Sequence, residues 1–161
     1  MNIDQQQNPS EALQWIVSLL NEHRIPFLIC GGLAAIAYGS KRDLNDIDLF
    51  VPGELFKKVV LLGSEHIRKP PQRYCEAIEG WDLEYVQFIY CGVKIEVGNP
   101  NGAKIFDQNS DKWTSLEMDF LATESRYLLG TEIPLMNRAA LIEYKRKLGR
   151  PVDLLDIASI R

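Results

Sequence analysis

In Asp46-Ile47-Asp48-Leu49-Phe50-Val51 the two-residue repeat of a β-strand puts Asp46 and Asp48 on one face and Ile47, Leu49 and Val51 on the other. The apolar face can be buried. The two carboxylates repel one another unless they are solvated or bridged, and a hard cation such as Mg²⁺ is the natural bridge. A third acid comes from a later run in which Val93, Ile95 and Val97 alternate with Lys94 and Glu96, which sets Glu96 on the polar face of a core-facing strand. Asp82 and Glu84 are rivals for the third position. Three such carboxylates can hold two Mg²⁺ ions, one on a triphosphate and one lowering the pKa of an attacking hydroxyl, as in-line phosphoryl or nucleotidyl transfer requires. Glu96 can also serve as general base.

A partner for those acids lies upstream. The apolar run Phe27-Leu28-Ile29-Cys30 ends at Gly31-Gly32, immediately before the helix-favouring Leu33-Ala34-Ala35-Ile36-Ala37-Tyr38. Without Cβ atoms the two glycines let backbone N–H groups approach a phosphate closely. Lys41 and Arg42 fall between this helix and the acidic strand, where a cation can offset triphosphate charge or simply face solvent.

The elements that must position these residues follow from pattern. A capped amphipathic helix is predicted over 10–23, with Ser10 as cap and Leu13, Ile16, Val17 and Leu20 on its apolar face. Pro52-Gly53 closes the acidic strand, and a helix is predicted over 54–62. Residues 68–80, with Pro70-Pro71, read as a loop holding one extended piece. Residues 83–90 and 93–97 form a hairpin about Cys91-Gly92, and Asn99-Pro100-Asn101-Gly102 ends it. A polar surface loop is expected at 107–111 and a second hairpin about Gly130. Asn137 caps a helix over 138–148, Gly149 stops it, and a last helix covers 152–160. The order predicts an α+β domain, a small mixed β-sheet packed by helices, with a helical extension from about 137.

At 161 residues the chain is expected to form one domain. Its longest charge-free stretch, 25–40, is interrupted by Pro26 and the two glycines and falls short of the ~20 apolar residues of a membrane span. The polar first ten residues lack the features of a signal peptide, so a cytoplasmic protein without membrane partners is expected. The net charge of −4 gives no global footprint for nucleic acid. Cys30, Cys75 and Cys91 show no CxxC spacing, and neither His23 nor His66 has a second histidine at ligand spacing, which leaves metal chemistry to carboxylates.

Gly31-Gly32, thirteen residues and then Asp46-Ile47-Asp48-Leu49 resembles the signature of the nucleotidyltransferase fold superfamily, which includes polymerase β and the aminoglycoside and lincosamide nucleotidyltransferases. Tyr38-Gly39-Ser40-Lys41-Arg42 looks like the helix end and basic residue of that group. Two positions depart: Leu44 stands where Thr or Ser is common, and Glu96 replaces the usual third Asp. Glu132-Ile133-Pro134-Leu135, Tyr144-Lys145 and Gly149-Arg150-Pro151-Val152-Asp153 with Asp156 are similar to the ending of small bacterial AbiEii toxin-like nucleotidyltransferases. The resemblance implies a polymerase β-like fold that transfers a nucleoside monophosphate from an NTP, ATP included, to an acceptor hydroxyl with two Mg²⁺ ions. It implies Asp46, Asp48 and Glu96 as catalytic metal ligands, and Gly31, Gly32, Ser40, Lys41, Arg42 and Lys145 around the nucleotide. The acceptor stays open between tRNA, a small molecule and a protein. An inactive binding module, for example one component of a toxin–antitoxin pair, is the alternative, and the protein partner expected is a second copy of the chain or an antitoxin.

Overall fold

The computed structural model describes residues 6–160. The helix α1 (Pro9–Glu22) leads into the strand β1 (Leu28–Cys30), then α2 (Gly31–Ala37), β2 (Ile47–Phe50) and α3 (Phe56–Leu62). Next come β3 (Ile67–Glu76), β4 (Trp81–Tyr90), β5 (Val93–Asp107), β6 (Lys112–Ser115), β7 (Thr123–Leu128) and β8 (Thr131–Met136). The helices α4 (Arg138–Leu148) and α5 (Pro151–Ser159) complete the described chain. The strands form one sheet in the order β3-β4-β5-β2-β1-β8-β7, with β6 pairing β5. Pairing is antiparallel except for β2 with β5 and β1 with β8, so the fold is the expected α+β arrangement on a mixed sheet. No helix among the described residues is long and apolar enough to cross a membrane.

The core sits where the sheet's apolar face meets α1, whose Leu13, Ile16 and Leu20 are fully enclosed with Ile47, Phe88 and Ile95. That packing fixes the phase of the strands. With Ile47 and Leu49 turned inward, Asp48 must emerge on the other face.

Several local expectations change. Asn8, not Ser10, caps α1: its side chain accepts the Glu11 N–H at 3.1 Å, because Pro9 takes the first helical position, where a missing N–H costs nothing. Residues 67–76 form a strand rather than a loop. The register slips between Ile67 and Gln72, around two prolines that cannot donate to a ladder, and the strand survives because β3 is the sheet edge. β5 continues through Asn99–Gly102 to Asp107 and pairs there with β6, a strand the composition did not announce. The segment 54–62 opens as one 3₁₀ turn before α3. Both predicted hairpins form, with left-handed residues at Cys91-Gly92 and Leu129-Gly130. Asn137 caps α4 by accepting the Ala140 N–H at 2.9 Å, and Gly149 ends it at φ +60°.

Candidate active site

The centre of the sheet sets the acids side by side. Parallel pairing of β2 and β5 puts Asp48 directly opposite Glu96, and antiparallel pairing of β1 and β2 puts Cys30 on the other flank of Asp48. Asp46, one strand repeat earlier, joins them on the wall of a cavity of about 630 Å³. The rivals for the third position lie elsewhere: Asp82 accepts from Arg73 Nε at 2.7 Å, Glu84 accepts from Asn99 Nδ2 at 3.0 Å, and neither lines the cavity.

Burial pushes the Asp48 carboxyl up to about 7, and repulsion from Glu96 and then Asp46 adds to it. Glu96 is raised too, by burial first and by Asp46 second. Among the described residues no three His, Cys, Asp or Glu side chains are already drawn together as a metal cage. The donor set nonetheless suits a hard divalent cation: it is all oxygen, faces a polar cavity, and its members repel one another in a way that a bound cation reverses.

Gly31 and Gly32 form the first turn of α2 rather than a turn before it. Gly31 adopts φ +60°, and a Cβ there would stand 2.5 Å from Asp48 Oδ2; a Cβ on Gly32 would overlap the Arg42 guanidinium. The two glycines are therefore the seam along which an acid and a base both meet the backbone. The Gly31 N–H donates to the Tyr144 hydroxyl at 2.7 Å, a contact from α4 that sequence reasoning missed.

The basic side is organised by two acids on α5. Asp153 and Asp156 are both completely enclosed. Asp156 accepts from Lys145 Nζ at 2.9 Å and from the Ser40 hydroxyl at 3.0 Å, and Arg42 Nε lies 3.1 Å away as an ion pair without hydrogen-bond alignment. Asp153 lies 3.5 Å from Lys145 Nζ and accepts from Arg150 Nε at 2.7 Å. Arg42, Lys145 and Arg150 all line the cavity. Of the residues predicted for the nucleotide, Gly31, Gly32, Arg42 and Lys145 are therefore brought together. Lys145 is only 2% exposed, and its ammonium is already committed to two carboxylates. Ser40 stands behind the cavity wall on Asp156, and Lys41 is exposed and lines no part of it.

A signal for the acid pair was present in the sequence. Asp153 and Asp156, three residues apart on one helix face, point inward while Leu154 and Leu155 are 55% and 69% exposed, an inversion of ordinary helix amphipathicity. The basic run at the end of α4 supplies the partners that make such burial tolerable.

Residues 9–82, a little under half of the chain, match the model of a family described as "Nucleotidyl transferase of unknown function (DUF2204)"; the match spans the two glycines, Asp46 and Asp48. No curated protein matches the chain at the sequence level. Among solved structures, TM1012 of Thermotoga maritima, provisionally assigned as a nucleotidyltransferase, superposes with a TM-score of 0.72 at 17% identity, covering 96% of this chain and 94% of that one. The lincosamide antibiotic adenylyltransferase LnuA, solved with lincomycin, gives 0.61 at 12% identity over 95% of this chain and 96% of its own. ANT(2″)-Ia, solved with adenylyl-2″-tobramycin, gives 0.60 at 15% identity over 92% and 85%. At such identities the likeness is one of fold: the chain has the fold of the nucleotidyltransferases, and its residues 9–82 are similar to a nucleotidyl transferase family model.

Proposed function

We propose that this chain is a metal-dependent nucleotidyltransferase that moves a nucleoside monophosphate from an NTP to an acceptor hydroxyl in the cavity between β2, β5 and α4. The observation that carries this reading is the register of β2 and β5: it aligns Asp48 with Glu96 on one face, beside the Gly31-Gly32 seam and near Arg42 and Lys145, whose charges act on Asp48. Asp46, Asp48 and Glu96 are the residues to hold Mg²⁺, two ions by resemblance, which when bound would offset triphosphate charge and acidify the acceptor hydroxyl. Gly31 and Gly32 leave room for a phosphate at the backbone. Arg42, kept in place by Asp156, presents its guanidinium to the phosphates, and Lys145, nearly enclosed in the cavity lining, adds positive potential.

The acceptor oxygen attacks the α-phosphorus, the bond from that phosphorus to the β-bridging oxygen breaks, and pyrophosphate leaves. Glu96 takes the hydroxyl proton.

The test is isothermal titration of each NTP with and without Mg²⁺, followed by transfer assays with NTP labelled at the α-phosphate, for the wild type, Asp46→Asn and Asp48→Asn. Metal-dependent heat in the wild type and its loss in both variants are expected. A wild type that binds nucleotide no better than the variants marks a non-catalytic scaffold and overturns the reading.

A further inference from the structure

Beyond Glu96 the cavity continues over two more strands. The cross-strand register runs in one line from Asp48 to Glu96, then Gln87 on β4, then Lys69 on β3, so Lys69 stands ~10 Å past the acid at the usual strand spacing. Lys94 lies one strand repeat before Glu96 on the same face. The next line places Gly98 opposite Tyr85, and Tyr85 meets Tyr74 edge-on with ring centroids 6.2 Å apart. Lys69, Tyr74, Tyr85, Gln87 and Lys94 all line the cavity. Lys69 and Lys94 are close enough to Glu96 to act on its charge, as Glu96 does on both tyrosines.

This wall has a definite chemical character. Its carboxylate is Glu96, which the proposed reaction assigns to the metal and the acceptor proton, and the other acid lining that side, Glu79, is engaged by Arg150 at 3.4 Å. What remains for an acceptor is two exposed ammonium groups and a pair of aromatic rings, bordered at Gly98 by the Phe50 ring packed over it. A polyamine such as tobramycin, the acceptor moiety seen in ANT(2″)-Ia, would meet like charge here. A phosphate monoester carried on a planar ring would find both a charge partner and a stacking surface.

We infer that the β3–β4–β5 wall is the acceptor subsite and that it selects a ring-bearing, phosphorylated alcohol over a polycationic one. The inference rests on the nucleotidyl-transfer reading above, and the two fail separately in the same experiment. The protein is saturated with Mg²⁺ and a non-hydrolysable NTP analogue, so that the nucleotide position is filled, and titrated with phenyl phosphate, glucose 6-phosphate and tobramycin; phenyl phosphate is also titrated alone. Phenyl phosphate is expected to bind most tightly. Lys69→Glu with Lys94→Glu, both at exposed positions, should weaken it about tenfold, and Tyr85→Ala should weaken it by a similar factor through lost stacking. The same charge reversal should strengthen tobramycin. Phenyl phosphate binding that ignores the charge reversal overturns the inference, as does glucose 6-phosphate binding equally well or tobramycin binding better to the wild type. Failure of the NTP analogue to bind overturns the parent reading, and the phenyl phosphate titration alone still decides the character of the wall.

Discussion

The two sides of the cavity treat charge in opposite ways. On the acidic side Asp46, Asp48 and Glu96 repel one another, and burial with that repulsion holds Asp48 at about 7. On the basic side Arg42, Lys145 and Arg150 are already matched by Asp153 and Asp156, both fully enclosed. The protein completes one half of the electrostatics itself and leaves the other half for a ligand. A site that must bind a cation and a polyanion together gains from this asymmetry: the bases are preorganised at no cost on binding, while the acids stay frustrated until a cation arrives.

The basic side is most vulnerable at Asp156. It is shared by Lys145, Arg42 and Ser40, so Asp156→Ala strands a buried ammonium with only the 3.5 Å contact to Asp153 and leaves Arg42 unanchored. Removing one partner of a buried ion pair typically costs about 3–5 kcal/mol. Urea denaturation of the Asp156→Ala variant should show a loss of that size. Asp156→Asn, which keeps the shape and one acceptor, should lose less, and a variant as stable as the wild type would mean that the buried network contributes nothing.

The acidic side should respond with the opposite sign. Asp48 has its folded pKa raised from 3.8 to about 7, so the stability it contributes is full below pH ~4 and declines as pH rises toward 7. Glu96, raised as well, acts in the same direction. In metal-free buffer the wild-type Tm should therefore fall across that window, and Asp48→Asn should flatten the profile and raise Tm at pH 8 by on the order of 5 °C. Mg²⁺ at pH 8 should raise Tm in the wild type and leave Asp48→Asn almost unmoved. A wild-type Tm that rises from pH 4 to 7 relative to that of Asp48→Asn would show that Asp48 is stabilised rather than frustrated.

How much of this was legible beforehand follows the same division. The acids were readable because strand alternation is local: once Ile47 and Leu49 must face the core, Asp48 has only one other face. The pairing of Glu96 with Asp48 is a long-range fact, suggested by alternation and fixed only by the parallel register of β2 and β5. The basic side was half legible. Arg42 is legible from its place before the acidic strand and Lys145 from the resemblance, and the three-residue spacing of Asp153 and Asp156 puts both on one helix face, but their enclosure depends on α5 packing against α4 and α2. The β3 wall was least legible, since Pro70-Pro71 reads as loop and becomes a strand only because it occupies an edge.

The smallest expected effects lie at the seam where the two sides meet, and there the adjacent glycines should separate. Gly31 sits at φ +60°, a conformation that costs a residue with a Cβ ~1–2 kcal/mol, and its added methyl would press on the Asp48 carboxylate at 2.5 Å. Gly31→Ala should therefore reduce stability by about that amount and also disturb the acidic side. Gly32 has ordinary helical geometry, and its added methyl would meet only the end of the flexible Arg42 side chain. Gly32→Ala should change stability by less than ~1 kcal/mol, because a helical alanine is intrinsically favoured over glycine. It should still weaken NTP binding about tenfold, by turning Arg42 away from the cavity and from its 3.1 Å pairing with Asp156. Denaturation curves and NTP titrations of the two variants, run in parallel, test the division. Equal losses of stability, or a Gly32→Ala variant that binds NTP as the wild type does, would remove Arg42 from the phosphate side and leave the basic wall a purely structural element.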